Sequence, residues 1–332
     1  MTRWGFIATG GIAATLAGDL ALTEGAQALA VASRDLGRAQ AFAERHGFER
    51  AYGSYAELFA DPDVDAVYIA TPHGQHHAVA TQALRADKPV LLEKPVTCTA
   101  AAARDLVAVA RESGAFFMEA MWTRLQPTVV ELRRLLAEGA IGDVRTVTAD
   151  LGFRAPFDPE NRMWDPAKGG GALLDLGVYP VSFAQMLLGT PSTAQVTGAL
   201  ASTGVDAEAA LLLGWPGGQQ ALLSVTIVAT PPGTIRIVGT HGWIDLDPPA
   251  YRPSRLHVHR DGSDEVEVVE LPGAGSGYVE QFLHVQECLA QGLTESPVVP
   301  LDDTLAVMEV LDGALEALGA VHVDEGFAAV QA

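Results

Sequence analysis

Cysteine is nearly absent from this chain: 332 residues hold two, Cys98 and Cys288. They lie far apart and form no metal-type pair, and no disulfide framework can be built from them. A reducing compartment, the cytoplasm, is therefore expected, with both thiols serving as buried apolar groups. Positive charge is also scarce, with 21 Lys and Arg against 41 Asp and Glu and a formal net charge of -20. An acidic surface of this kind argues against nonspecific binding to nucleic acid or anionic membrane, although a few local arginines can still hold a phosphate. Long apolar runs are missing as well, so a bilayer-spanning helix is not expected. The stretch from Trp4 to Ala17 after Arg3 has the outline of a signal peptide, but Gly5, Gly10 and Gly11 are all explained by a strand leading into a turn.

What is present is a large hydrophobic fraction, 48%, enough for a globular core and, at this length, for two domains. Residues 3–9, 28–33, 64–71, 89–93 and 115–120 are short and largely apolar, with charge only at or next to their ends, the pattern of buried parallel strands. Helical stretches at 11–23, 35–46, 74–86 and 99–113 alternate with them. Asp35 and Thr99 suit N-caps, and Gly47 and Gly114 suit helix stops. This alternation predicts a doubly wound α/β domain of the Rossmann type over residues 1–122. Residues 123–332 read differently. A helix at 128–138, a Gly/Pro/Trp loop at 153–171 and a helix at 172–188 precede strand-like runs at 194–202, 208–213, 219–228, 234–238, 256–260 and 265–271. Helices at 278–291 and 301–318 follow. The pattern predicts an α+β domain with a mostly antiparallel, open-faced sheet, whose last helix can pack back on the first domain.

The first strand ends in Thr9-Gly10-Gly11-Ile12-Ala13 and opens a helix. A glycine there lets backbone N–H groups approach a pyrophosphate seated on the helix N-terminus. Ala8 and Ala13 stand where the dinucleotide fingerprint has its first and third glycines, and Ala8 is tolerable only if its φ stays negative. The second strand ends in Ser33-Arg34, with Arg38 one turn on. A cationic pair suits a 2′-phosphate, so NADP is favoured, with NAD possible; the alternative is a solvated helix face.

Thr71-Pro72-His73 with His76, followed by Glu93-Lys94-Pro95, resembles the signatures of the glucose–fructose oxidoreductase and inositol dehydrogenase family (Gfo/Idh/MocA). Glu119-Ala120-Met121-Trp122-Thr123-Arg124 and the run from Gly169 to Tyr179 are similar to the branch holding dihydrodiol and NADP-linked xylose dehydrogenases. The resemblance implies an NAD(P)-dependent dehydrogenase acting on CH–OH groups of a sugar, polyol or cyclic diol. It implies that Lys94 touches the reacting oxygen and that the Lys94–Pro95 bond is cis. It also implies that Thr71, Pro72, His73, His76 and Glu93 border the cofactor, with His76 on the substrate side.

Residue chemistry agrees in part. A partly buried ammonium at a strand end can share a proton with a substrate hydroxyl. Asp175 and Tyr179 are spaced to share a helix face, after three glycines that permit close approach. Tyr179 is expected as the acid/base partner of Lys94, and Asp175 as the group that orients Lys94 or substrate hydroxyls; Pro180 is expected to kink this helix. A metal on His73, His76 and His77 is a minor alternative, and none is expected. Trp122, Arg124, Phe153, Arg162 and Trp164, with Arg154 and Phe157, are candidate substrate or interface residues, core and dimer contacts being the other reading. A homodimer or higher homo-oligomer through the open sheet is expected. A catalytically silent NADP sensor and an imine or tetrapyrrole-type reductase are the competing functions, the latter requiring a flat, apolar pocket.

Overall fold

Chain order alternates strand and helix through the first third of a computed structural model that describes residues 1–320 and 322–327. Val321 and the last five residues of the 123–332 unit lie outside the described residues. The elements are β1 (Thr2–Ile7), α1 (Gly11–Leu20), β2 (Ala26–Ala32), α2 (Leu36–His46), β3 (Arg50–Tyr52), α3 (Tyr55–Ala60), β4 (Ala66–Ile69), α4 (His76–Arg85), β5 (Val90–Leu92), α5 (Ala100–Ser113) and β6 (Phe117–Glu119). The strands pair in parallel, in the order β3-β2-β1-β4-β5-β6. Caps set the helix limits. Asp35 accepts from the Arg38 amide and Thr99 from that of Ala102, while Gly47 and Gly114 end their helices in the left-handed conformation. Strand order reverses between β1 and β4, so a crevice opens at their C-terminal ends, the usual place for a dinucleotide.

The remainder comprises α6 (Pro127–Ala137), β7 (Val144–Gly152), α7 (Val178–Leu188), β8 (Thr193–Leu200), β9 (Asp206–Gly214), β10 (Gln220–Thr226), β11 (Ile235–Gly239), β12 (Gly242–Leu246), β13 (Arg255–Arg260), β14 (Val266–Glu270), α8 (Val279–Ala290) and α9 (Leu301–Leu318). Eight strands form one sheet in the order β14-β13-β12-β11-β7-β10-β9-β8. All its pairs are antiparallel except β7 with β10. Along β9 and β10, Leu211, Leu213, Ala221, Leu223 and Val225 are buried, and their neighbours Leu212, Leu222 and Ser224 are exposed. This period of two gives the sheet one covered and one open face. α9 returns to the first domain, where Asp312 accepts from the Ala100 amide at the start of α5.

Four elements are not expected from the sequence, the short β3, α3 and β12 and the nine-residue β7. β7 carries Thr146, Thr148 and Asp150 on its outer positions, which dilutes its apolar signal. β12 follows β11 after a turn so tight that Gly239 pairs with Gly242.

One backbone expectation is corrected. Ala8 has φ +79°, the left-handed region, not a negative value. This strain costs a residue with a Cβ about 1–2 kcal/mol. The position is held by the Ala8 amide, which donates to Ala32 O at 2.9 Å.

Candidate active site

A cleft of about 1000 Å³ runs across the C-terminal ends of the parallel strands and under the second domain. Its outer arm is built by β1, α1 and β2. Thr9, Gly10, Gly11 and Ile12 line it, and a Cβ added at Gly10 or Gly11 would meet nothing within 4 Å. Gly10 caps α1 without a side-chain hydrogen bond, so the first-turn N–H groups of that helix remain free for an anion. Ser33, Arg34 and Arg38 line the end of this arm. Both arginines are exposed, and neither has an ion-pair partner among the described residues. Asp35 is occupied as the N-cap of α2. Further in, Thr71, Pro72 and His73 form one wall, and the Thr71 hydroxyl is buried with no hydrogen-bond partner. An uncapped helix end, open glycines, unpaired arginines and an orphaned hydroxyl together fit a phosphorylated dinucleotide.

The inner end gathers charge. Lys94 follows β5, and its bond to Pro95 is cis. Its Nζ donates to Asp175 O at 2.6 Å and to Asp175 Oδ1 at 3.3 Å, and sits 4.7 Å above the ring centre of Tyr179. Arg162 Nη1 donates to the same Oδ1 at 3.2 Å. Burial alone would raise the Asp175 carboxyl, but Lys94 and Arg162 outweigh it and hold the group well below its ordinary range. Burial pushes the Tyr179 phenol up despite the hydrogen bond from Trp122, so it keeps its proton and can donate it. Trp122 Nε1 donates to the Tyr179 oxygen at 3.1 Å, leaving that proton free. Lys94 therefore meets Tyr179 through the ring face, and the hydroxyl is held separately.

Helix geometry explains how Asp175 and Tyr179 reach one lysine. Residues Leu173–Gly177 form a wide π-helical turn, followed directly by α7. Pro180 has no N–H for the carbonyl of Leu176, and the wide turn falls just before it. A π-turn thus stands where the sequence predicts a kink at Pro180. The turn is anchored by the Leu173 amide, which donates to Asp206 Oδ2 at 2.6 Å. Gly171 has φ +104°, and a Cβ there would collide with the Asp206 carboxylate.

Two buried carboxylates support the lysine loop. Glu93 lines the cleft, accepts from Tyr68 Oη at 2.6 Å and takes the Lys94 amide at 3.2 Å. Glu119 accepts from the Val96 amide at 3.0 Å and from Thr304 Oγ1 at 3.0 Å, and burial pushes its carboxyl up to about 7.

Three candidate residues do not reach the cleft. His76 is fully buried, with Nδ1 2.8 Å from Pro95 O and Nε2 2.9 Å from Thr71 O. It braces the two loops that border the cleft and does not line the cleft itself. Burial lowers its pKa to about 4, while the two carbonyls favour protons on the ring. Arg124 points inward, donating to Ser182 Oγ, Ser182 O, Gln185 Oε1 and Asp303 Oδ2. It ties together α7 and α9. Trp164 is buried against Phe157, donates to Pro156 O at 2.8 Å, and borders a separate shallow hollow with Arg154. Phe153 and Arg162 do line the cleft. His73 lines it too, with Nδ1 3.0 Å from Gly169 O and its pKa lowered by burial to about 3. His77 instead pairs with Asp105.

Sequence reasoning missed Tyr251 and Tyr278, which line the inner end of the cleft. Tyr278 packs on Trp122 with ring centres 4.2 Å apart, and Tyr251 lies 5.5 Å from Tyr179. Neither belongs to a motif; only the chain's return to the cleft after β12 and before α8 brings them there.

A dinucleotide-binding crevice joined to a lysine–carboxylate–phenol cluster defines a nicotinamide-dependent oxidoreductase. Residues 2–121 match the oxidoreductase family with an NAD-binding Rossmann fold, and residues 129–245 match the Gfo/Idh/MocA C-terminal domain. The chain belongs to the Gfo/Idh/MocA oxidoreductase family. It is 39% identical to trans-1,2-dihydrobenzene-1,2-diol dehydrogenase of Bos taurus over 327 residues, 96% of this chain and 97% of the relative. The Homo sapiens dehydrogenase of the same name is 38% identical over 328 residues, with the same coverage. A 3-ketoreductase from Actinomadura kijaniata, solved with NADP and TDP-benzene, superposes with TM-score 0.80 at 30% identity, covering 97% of this chain and 98% of that one. An aldose–aldose oxidoreductase from Caulobacter crescentus, complexed with glycerol, gives TM-score 0.87 at 26% identity, covering 96% and 97%.

Proposed function

We propose that the chain transfers a hydride between NADP and a carbinol or carbonyl carbon of a cyclic vicinal diol or sugar. The observation that carries this reading is the convergence of Lys94, Asp175 and Tyr179 at the inner end of a cleft whose outer end is suited to a phosphorylated dinucleotide. The bound nicotinamide supplies or takes up the hydride. The residues handle the proton. In the direction of reduction, Lys94 Nζ and the Tyr179 hydroxyl are donors to the substrate oxygen as it becomes an alkoxide; oxidation runs the same path in reverse. Asp175 fixes the ammonium through its side chain and its carbonyl. Trp122, Tyr251 and Tyr278 offer ring faces to a cyclic substrate, and Arg162 offers a guanidinium to its hydroxyls. The names of the relatives, dehydrogenases of a cyclic diol, favour the same substrate class.

A silent sensor would have no need for a lysine, a carboxylate and a phenol gathered at the inner end. A flat, apolar pocket for an imine or tetrapyrrole is disfavoured by Lys94, Asp175 and Arg162 lining the same space. The test is a screen of initial rates by nicotinamide absorbance. NADP⁺ and NAD⁺ are each paired with trans-1,2-dihydrobenzene-1,2-diol, trans-cyclohexanediol, D-xylose, D-glucose and myo-inositol. Turnover of a diol or sugar with NADP⁺ supports the reading. Tight NADPH binding without turnover of any of them overturns it in favour of the sensor.

The open face of the second sheet exposes Leu212 and Leu222, each more than two-fifths accessible. Burying one leucine contributes about 1.5–3 kcal/mol. The proposed partner for this face is a second copy of the chain. Light scattering at micromolar concentration should give about twice the mass of one chain; a monomer mass at that concentration would remove the proposal.

A further inference from the structure

We infer that Asp19, on the helix whose N-terminus faces the dinucleotide arm, is a positioning residue for the substrate end of the cleft. It holds the loop that seats Tyr278 on Trp122, and Trp122 orients the hydroxyl of Tyr179. The inference rests on the reading of Tyr179 as a proton donor given above.

Asp19 lies in the last turn of α1 and is 3% exposed. A carboxylate so placed needs donors, and here it finds only backbone of the other domain. Ser276 N donates to both carboxylate oxygens, at 2.8 and 2.9 Å, and Tyr278 N donates to Oδ2 at 2.8 Å. The loop between is a tight spacer. Gly275 has φ +54°, and a Cβ there would lie 2.5 Å from Asp19 Oδ1. Gly277 has φ +98°, and a Cβ there would lie 2.8 Å from Trp122 Cζ3. One glycine therefore lets the loop close on Asp19, and the other lets it close on Trp122.

From the far side Gln126 Nε2 donates to Gly277 O at 2.7 Å. The loop has no slack between Asp19 and Trp122. Tyr278 emerges from it onto the indole, and the indole Nε1 donates to the Tyr179 oxygen. The connected order is α1, Asp19, the 275–278 loop, the Tyr278–Trp122 stack and the Tyr179 hydroxyl. The helix that carries the dinucleotide site thus sets the geometry of the proton donor.

The test compares the full chain carrying Asp19→Asn, Trp122→Phe, both together, and Tyr179→Phe. Asn is nearly isosteric but offers a single acceptor oxygen to the loop amides. The measurements are kcat and KM for the diol at saturating NADP⁺, the NADPH dissociation constant by fluorescence, and near-UV circular dichroism of the cofactor-free protein. Asp19→Asn should raise KM for the diol and lower kcat/KM by about three- to tenfold, with NADPH binding within about twofold of wild type. Its near-UV spectrum should lose the band that Trp122→Phe removes. The double variant should be no worse than Trp122→Phe alone, because the two act through one path.

Losses that multiply in the double variant, with a wild-type near-UV spectrum for Asp19→Asn, would make Asp19 only a tie between domains and overturn the inference. If Asp19→Asn does not fold, Gly275→Ala, whose methyl displaces the same carboxylate, is read against the same expectations. Wild-type turnover by Tyr179→Phe would instead remove the proton-donor reading, while the near-UV spectra still report whether Asp19 seats Trp122.

Discussion

Replacing Lys94 by alanine is expected to lower kcat by about 10²–10⁴-fold, the range for loss of a positioned proton donor, while NADPH still binds. Lys94 presents its ammonium at the end of β5, held by Asp175 O and Oδ1 and by the face of Tyr179. The dinucleotide arm, formed by Gly10, Gly11 and the Arg34–Arg38 pair, is built from other elements. The variant therefore separates binding from turnover. Asp175 keeps Arg162 as a cation, so the carboxylate is not stranded, and a general collapse of the site is not expected. Stopped-flow or steady-state rates with the best diol or sugar, alongside NADPH fluorescence, would check this. Lys94→Arg keeps the charge but replaces a compact ammonium with a planar group that cannot give up its proton, so it should not restore turnover. A Lys94→Ala enzyme within about fivefold of wild-type kcat would remove the lysine from the chemistry.

The residues that sequence reasoning brought to the cleft share one property: their placement is local. Lys94 stands at the end of an apolar strand, and Asp175 and Tyr179 follow a glycine run at helix spacing. Arg34 and Arg38 sit one turn apart after β2. In each case a few neighbouring residues fix where the side chain emerges. Arg124 and Trp164 look the same in sequence, yet they turn inward, because Ser182, Gln185 and Asp303 offer acceptors to one and Phe157 and Pro156 a seat to the other. Those partners lie on elements whose positions only the tertiary fold decides. Tyr251 and Tyr278 show the converse. They reach the cleft because an eight-stranded sheet and the start of α8 return the chain to it, which no local pattern announces. His76 falls between the two cases. Its motif is legible, but a buried ring held between two carbonyls braces the cleft's walls. Ala8 shows how backbone need can override residue preference: the turn takes a left-handed φ even with a methyl group present. A degraded glycine fingerprint is therefore compatible with the turn geometry that a pyrophosphate requires.

Cofactor choice provides the second large effect. Arg34 and Arg38 project from the end of β2 and the first turn of α2, both exposed and without ion-pair partners among the described residues. The acidic residue nearest them, Asp35, is committed to capping the Arg38 amide and is not free to accept a ribose hydroxyl through the same oxygen. Two guanidinium groups beside a 2′-phosphate would each give a charge-assisted hydrogen bond of about 1.5–3 kcal/mol, less where water screens it. With that discount, Arg34→Ala combined with Arg38→Ala should lower kcat/KM for NADP⁺ by about 30–150-fold, a loss of roughly 2–3 kcal/mol. NAD⁺ has no 2′-phosphate, so its kcat/KM should change by less than about threefold. The wild-type preference for NADP⁺ should also weaken as ionic strength rises, because both arginines are open to solvent. The variant should lose that salt dependence along with its preference. Steady-state kinetics with both cofactors at low and high salt would measure all of these together. An unchanged ratio of NADP⁺ to NAD⁺ efficiency in the double variant would make the arginines a solvated helix face. The 2′-position would then have to be read by the remaining groups at that end of the cleft, Ser33 and Tyr55.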